Sequence, residues 1–342
     1  MKKIISVFMA VCFVAGSLSA CSAPTQAANS DKISIVTTIF PPYDWTREIL
    51  GERMENTELT MLMDTGVDLH SYQPTADDMV KISACDMFIY VGGESDEWVA
   101  DALKEATNED MIVINLLDVL GDAVKEEEWI EGMEPEDEHA HEEEGHEGEG
   151  HEEEGDANMH DEGHAADEHV WLSLKNAASL CSHLADALGR MDSAHADEYR
   201  ANADAYIKHL SELDGKYEEV VASATQRTLL FADRFPCRYL VDDYGIDYYA
   251  AFAGCSAETE ASFETIAFLA QKVDELGLTN VLTIEGSNQK IADTVINNTT
   301  EKNQKVLVLD SLQSITAADV KNGATYFAIM EENLEVLKAA LK

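Results

Sequence analysis

The chain is 342 residues long, with 67 acidic and 23 basic residues and a formal net charge of −44. That charge excludes nucleic acid as a partner, because phosphate would be repelled, and it suits a cation as ligand. A hydrophobic content of 45% excludes a wholly unfolded chain, and the length leaves room for two ordinary domains.

The first residues set the compartment. Lys2 and Lys3 precede a short apolar stretch, Ile4 to Ala15, which is too short to span a bilayer and is shaped as a signal peptide. It ends Leu18-Ser19-Ala20-Cys21, small residues before a cysteine, and so resembles a bacterial lipoprotein processing site. Removal of residues 1–20 would leave Cys21 as a lipidated N-terminus anchored to the membrane, with residues 21–31 as a flexible tether. Four cysteines then remain. An even count in an exported chain permits disulfides, Cys85 with Cys181 and Cys237 with Cys255, while free buried thiols are the equal alternative.

Lys32 to Phe40 is rich in β-branched residues and predicts a strand closed by a Pro41-Pro42 turn. A helix over Trp45 to Leu50 stops at Gly51, and Leu59 to Met63 reads as a second strand running into a polar turn. Thr75 to Ala84 reads as a helix with Thr75 as N-cap and Asp78 three residues on, close to a capping box. Met87 to Val91 and Met111 to Leu116 are strands around a helix at Trp98 to Glu105. Strands alternating with helices imply parallel β-α units.

Glu126 to Glu168 breaks the pattern. It has no Lys or Arg, and His139, His141, His146, His151, His160 and His164 punctuate it among carboxylates and glycines. Such a stretch cannot bury a core and is expected to be a disordered, metal-gathering loop. Order resumes at His169, followed by a helix over Lys175 to Leu188 and a long helical pattern from Ala194 to Ala222, about 45 Å if continuous. The rhythm then repeats: strands at Thr228 to Ala232, Tyr248 to Phe252, Val281 to Ile284 and Val306 to Leu309, with helices between and a closing helix from Tyr326. The expected architecture is α/β, two Rossmann-like lobes with mainly parallel sheets, residues 32–190 and 225–342. One long rigid helix over 191–224 joins them. Ligands of open α/β sheets sit at the carboxyl ends of strands, so two facing lobes would line a cleft.

Four side chains sit where such a cleft needs them. His70 follows the second strand, with Asp68 nearby to orient its ring. His169 stands between the acidic stretch and the apolar Val170-Trp171-Leu172. Glu285 follows the strand Val281 to Ile284, and Asp233 ends the strand Thr228 to Ala232, either as a ligand or as a partner of Arg234. In the polar run Gly254 to Glu260, Glu258 or Glu260 could also reach the cleft or cap a helix. Two histidines with carboxylates suit Zn²⁺ or Mn²⁺, and the His-rich stretch favours Zn²⁺.

Together these motifs resemble the zinc/manganese class of solute-binding lipoproteins that serve ABC importers. Gly66 to Asp78 is similar to that family's G-x-D-P-H-x-Y-x-P-T-x-x-D, and Asp167 to Leu174 to its D-P-H-x-W-L-S-P. Leu69, Glu168 and Leu174 stand where the family has proline. The resemblance implies that His70 and His169 are metal ligands, and that a monomeric, non-enzymatic receptor hands its ion to a membrane permease. Zinc members carry a third histidine at the end of the first strand of the second lobe. Phe231 to Pro236 has none here, which leaves the remaining ligands among Glu285, Asp233, a loop histidine and water, with Glu285 the better placed. The rival readings are a Mn²⁺ receptor of the same family, a secreted zinc hydrolase, and an adhesin or passive metal buffer.

Overall fold

Apolar β-branched runs that must be covered on both faces build two parallel sheets. The computed structural model describes residues 32–133, 165–256 and 260–342. The first sheet comprises β1 (Ile33–Thr37), β2 (Thr57–Met61), β3 (Met87–Tyr90) and β4 (Ile112–Asn115), linked by helices α1 (Phe40–Leu50), α2 (Ala76–Ala84) and α3 (Val99–Lys104). Helix α4 (Leu116–Leu120) follows β4, and α5 (Leu174–Met191) and α6 (Ala196–Ser223) lead to the second sheet. That sheet holds β5 (Thr228–Phe235), β6 (Asp247–Ala253), β7 (Asn280–Ile284) and β8 (Lys305–Leu309). Its helices are α7 (Arg238–Tyr244), α8 (Phe263–Leu276) and α9 (Lys290–Asn298), and α10 (Ala317–Lys321) and α11 (Tyr326–Ala340) close the chain.

Both sheets have the same order, β2-β1-β3-β4 and β6-β5-β7-β8, with every pairing parallel. The α/β expectation holds. Local differences have local causes. Pro41 and Pro42 start α1 rather than making a turn, because the first helical turn needs no N–H there and proline's fixed φ suits it. Thr75 and Asp78 do form the capping box: Thr75 Oγ1 accepts from Asp78 N at 3.2 Å, and Asp78 Oδ2 accepts from Thr75 N at 2.9 Å. Strand β5 runs past Ala232 to Phe235, with a register irregularity between Phe231 and Arg234, so Asp233 lies inside the strand.

The long helix α6 has 28 residues and is not a bare strut. It buries Tyr199, Leu210, Leu213 and Tyr217. Asn202 donates to Ile49 O in α1 at 2.9 Å, and Tyr217 donates to Met330 O in α11 at 2.6 Å. Helix α11 also returns to the first sheet's side: Tyr326 N donates to Asp44 Oδ2 at 2.7 Å, and the Tyr326 ring meets Trp45 edge-on at 5.2 Å. One apolar core therefore runs from Ile35 through Trp171, Tyr217 and Phe231 to Leu337. Burying each such large side chain stabilises the fold by roughly 1.5–3 kcal/mol, so the long helix that joins the two sheets is packed into a core they share.

Two expectations are corrected here. The ends of the 126–168 stretch are ordered: Glu126 bridges Ala166 antiparallel, Glu127 N donates to Ala165 O at 2.8 Å, and Asp167 N donates to Lys125 O at 2.9 Å. Backbone pairing outweighs the composition there, while the six histidines from His139 to His164 lie outside the described residues, as does Cys21. The four cysteines of the described residues are free, so neither Cys85–Cys181 nor Cys237–Cys255 forms. Cys85 packs with Val36 and Phe88, whereas Cys181 packs with Ile35 and Met87. Neighbouring strand residues point to opposite faces of a sheet, so Cys85 and Cys181 occupy different layers. Cys237 is sealed in the shared core, while Cys255 sits half-buried on the turn after β6.

Candidate metal centre

The turn after β2 carries His70. Asp68 caps it, its Oδ1 accepting from His70 N at 3.0 Å, and buried Leu69 anchors it where a proline would otherwise stiffen the chain. Asp68 does not orient the imidazole as expected. Its Oδ2 instead receives Arg234 Nη2 at 2.7 Å, from β5 of the second sheet. The ring is held by groups that sequence reasoning overlooked. His70 Nδ1 lies 2.8 Å from Ser95 Oγ and 3.5 Å from Glu168 Oε2. Ser95 N in turn donates to Glu168 Oε1 at 2.8 Å. A Cβ on Gly93 would lie 2.4 Å from that same Oε1, and φ there is +82°, so only glycine lets the loop after β3 close on Glu168.

His169 is fully buried. Asp167 Oδ1 takes both its backbone N–H, at 2.9 Å, and its ring Nδ1, at 3.0 Å. Asp167 is fixed from behind, its carbonyl accepting from Tyr239 Oη at 2.8 Å. The carboxylate–imidazole pair sets the tautomer: the proton sits on Nδ1, and Nε2 presents its lone pair. Trp171 packs edge-on against the ring, with centroids 5.3 Å apart.

The two histidines meet. Their Nε2 atoms are 3.2 Å apart, and their ring centroids 5.1 Å apart. Two nitrogens bound to a tetrahedral Zn²⁺ at about 2.0–2.1 Å would stand roughly 3.3–3.4 Å apart, so the observed span is that of two ligands on one ion. Cys255 joins them: its Sγ and one ring nitrogen of each histidine all lie within 4.8 Å of one another. Among the described residues this is the one group of three ligating side chains so placed.

Burial and then the charge of His169 push the His70 imidazolium down to about 3. Burial also opposes charge on His169, but the Asp167 carboxylate outweighs it and lifts that ring above the ordinary histidine range. Burial raises Glu168 to about 7, and its buried Oε2 has no hydrogen-bond partner among the described residues. Burial, with Glu127 and Asp167 close by, raises the Cys255 thiol.

Two cavities meet at His70. One, of about 460 Å³, is lined by Ser95, Glu127, Trp129, Glu168 and Cys255. The other, of about 470 Å³, holds Asp68, Asp233, Arg234 and Glu285. Asp233 and Glu285 thus share a cavity wall with His70 but do not join the group of three. Glu285 grips Ser311, accepting from its N at 2.7 Å and its Oγ at 2.6 Å. Asp233 Oδ1 accepts from Arg234 N at 2.9 Å. Ser311 O accepts from Trp171 Nε1 at 2.8 Å, and Trp171 packs on His169, so a chain of contacts links Glu285 to His169. Glu260 is exposed, and Glu258 lies outside the described residues.

A family model described as the periplasmic zinc-uptake complex component A, ZnuA, matches residues 35–340. The zinc-binding lipoprotein AdcA of Streptococcus pneumoniae is 32% identical over 340 residues, covering 99% of this chain and 61% of that protein. AdcA of Streptococcus pyogenes is 30% identical over 320 residues, covering 92% of this chain and 57% of that protein. The high-affinity zinc uptake system protein ZnuA of Bacillus subtilis is 28% identical over 335 residues, covering 97% and 96%. The chain therefore spans 57% to 61% of the AdcA proteins and nearly all of the B. subtilis protein. Among solved structures, the Zn(II)-bound ZnuA-like domain of S. pneumoniae AdcA superposes with a TM-score of 0.66 at 27% identity, over 91% of this chain and 99% of that one.

Proposed function

Since the chain belongs to the ZnuA family of periplasmic zinc-uptake components, we propose that it binds Zn²⁺ as cargo between its two sheets, through His70 and His169, and passes the ion to the permease of an ABC importer. The 3.2 Å separation of the two Nε2 atoms carries this reading, because buried lone pairs aimed at one point need a shared proton or a cation between them. Asp167 behind His169, and Ser95 with Glu168 behind His70, supply the oriented outer contacts that metal-ligating imidazoles require. The named zinc binders among the relatives point the same way.

Residues 1–20 are a cleaved leader, Cys21 carries the lipid, and 21–31 is the tether. Residues 32–190 and 225–342 are the two metal-facing lobes, and 191–224 the connection. The histidines from His139 to His164 gather Zn²⁺ and raise its concentration near the cleft. The protein acts as a monomer and catalyses no reaction. A Mn²⁺ site would be richer in carboxylates, and Glu285, engaged with Ser311, is poorly placed to provide one. A hydrolase would need a base activating water at an open metal position, whereas the relatives are named for zinc uptake and zinc binding.

The test is a zinc titration of the full chain by calorimetry. Replacing both His70 and His169 by alanine is expected to abolish tight one-to-one binding. Unchanged affinity in the double variant would overturn the site assignment.

A further inference from the structure

We propose that Cys255 is the third protein ligand of the ion, so that the site offers two imidazoles and one thiolate and discriminates zinc from manganese through that sulfur. The inference rests on the His70–His169 reading above and names what completes it. Its geometry comes from two independent features. First, the thiol belongs to the compact group with the two rings, whereas Asp233 and Glu285 do not. Second, the backbone that carries it is built to lie there. Gly254 presses on the His169 ring, where an added Cβ would come within 3.2 Å of Cε1 and 2.8 Å of Phe235 O. Cys255 N donates to Glu127 Oε1 at 2.8 Å, which pins the turn from the other side.

The chemistry follows from the donor set. Thiolate is a soft ligand that suits Zn²⁺ and is poorly matched to Mn²⁺, whose preference is for oxygen. On loading, a metal–sulfur bond forms and the S–H bond breaks, its proton leaving to solvent; no electrons are transferred. The cation itself stabilises the thiolate, as coordinated thiols are deprotonated outright. The cavity lined by His70, Cys255, Glu127 and Glu168 adjoins the group and would give the ion a way in and out. Two rings and one thiol satisfy Zn²⁺ where a third histidine is missing.

Cobalt substitution of the full chain reads the sulfur directly. The wild-type protein loaded with Co²⁺ is expected to show a thiolate-to-cobalt charge-transfer band in the near ultraviolet, and Cys255→Ser is expected to lose it. Competition against a chelator should show Cys255→Ser binding Zn²⁺ at least about tenfold more weakly, ~1.4 kcal/mol, with Mn²⁺ binding unchanged and the thermal unfolding midpoint preserved. No charge-transfer band in the wild type, or full zinc affinity in Cys255→Ser, would overturn the inference. The two readings fail separately. If the double histidine variant loses zinc while Cys255→Ser keeps it, only the sulfur ligand is wrong; if the double histidine variant keeps zinc, the site itself is wrong.

Discussion

The two halves of the molecule share one strand order but treat the site differently. The first half and the segment after it supply imidazoles that are already aimed. His169 is buried and fixed by Asp167, and His70 is fixed by Ser95 and Glu168. The second half supplies a latch, a brace and a thiol: Arg234 reaching Asp68, Glu285 holding Ser311, and Cys255 on a turn. Equal topology thus yields unequal chemistry, because the strand-end loops rather than the sheets carry the functional groups.

That contrast can be broken from either side, beginning with the histidines themselves, whose joint loss is expected to remove the tight site entirely. Next in size is Asp167→Asn. The amide keeps the shape but can present its N–H₂ to Nδ1 and favour the wrong tautomer, so zinc affinity should fall by about 10–100-fold, the usual cost of losing a group that orients a metal-bound histidine. Chelator competition measures it, and a change under threefold (about 0.7 kcal/mol) would show that the first half is not preorganised through Asp167. The smallest effect on affinity belongs to the second half. Glu285→Gln is expected to leave zinc binding nearly unchanged while lowering stability by roughly 1–3 kcal/mol in urea unfolding, because Ser311 loses a charged acceptor in a buried setting. A tenfold loss of zinc affinity with unchanged stability would instead make Glu285 a ligand and erase the contrast.

Much of this was legible from sequence, and the failures share a cause. Periodicity located the strands and most of the helices, because burial on one face imposes it, but α1 begins at Phe40 rather than Trp45, and the short α4 and α10 carry too few turns to show a pattern. His70 and His169 stand out in the sequence through the motifs around them, and the structure brings their rings together. Cys255 was singled out only as half of a disulfide, since counting cysteines says nothing of which sheet face each one occupies. The run Gly254 to Glu260 drew attention for its acids, when the residue that reaches the histidines is the thiol beside the glycine. Ser95 and Glu168 were missed because their importance lies in a contact between segments 73 residues apart. Glu285 was correctly placed at a strand end, but its engagement by Ser311 depends on a backbone N–H that no pattern reveals. The shared core was hidden for the same reason: Tyr326 meets Asp44 and Trp45 across 282 residues of sequence.

X-ray absorption at the zinc edge, on full-length protein loaded with one equivalent of Zn²⁺, tests the central claim most directly. Two imidazoles at about 2.0–2.1 Å, seen by their ring scattering, are the predicted result. A shell of oxygen donors without imidazole scattering would contradict it.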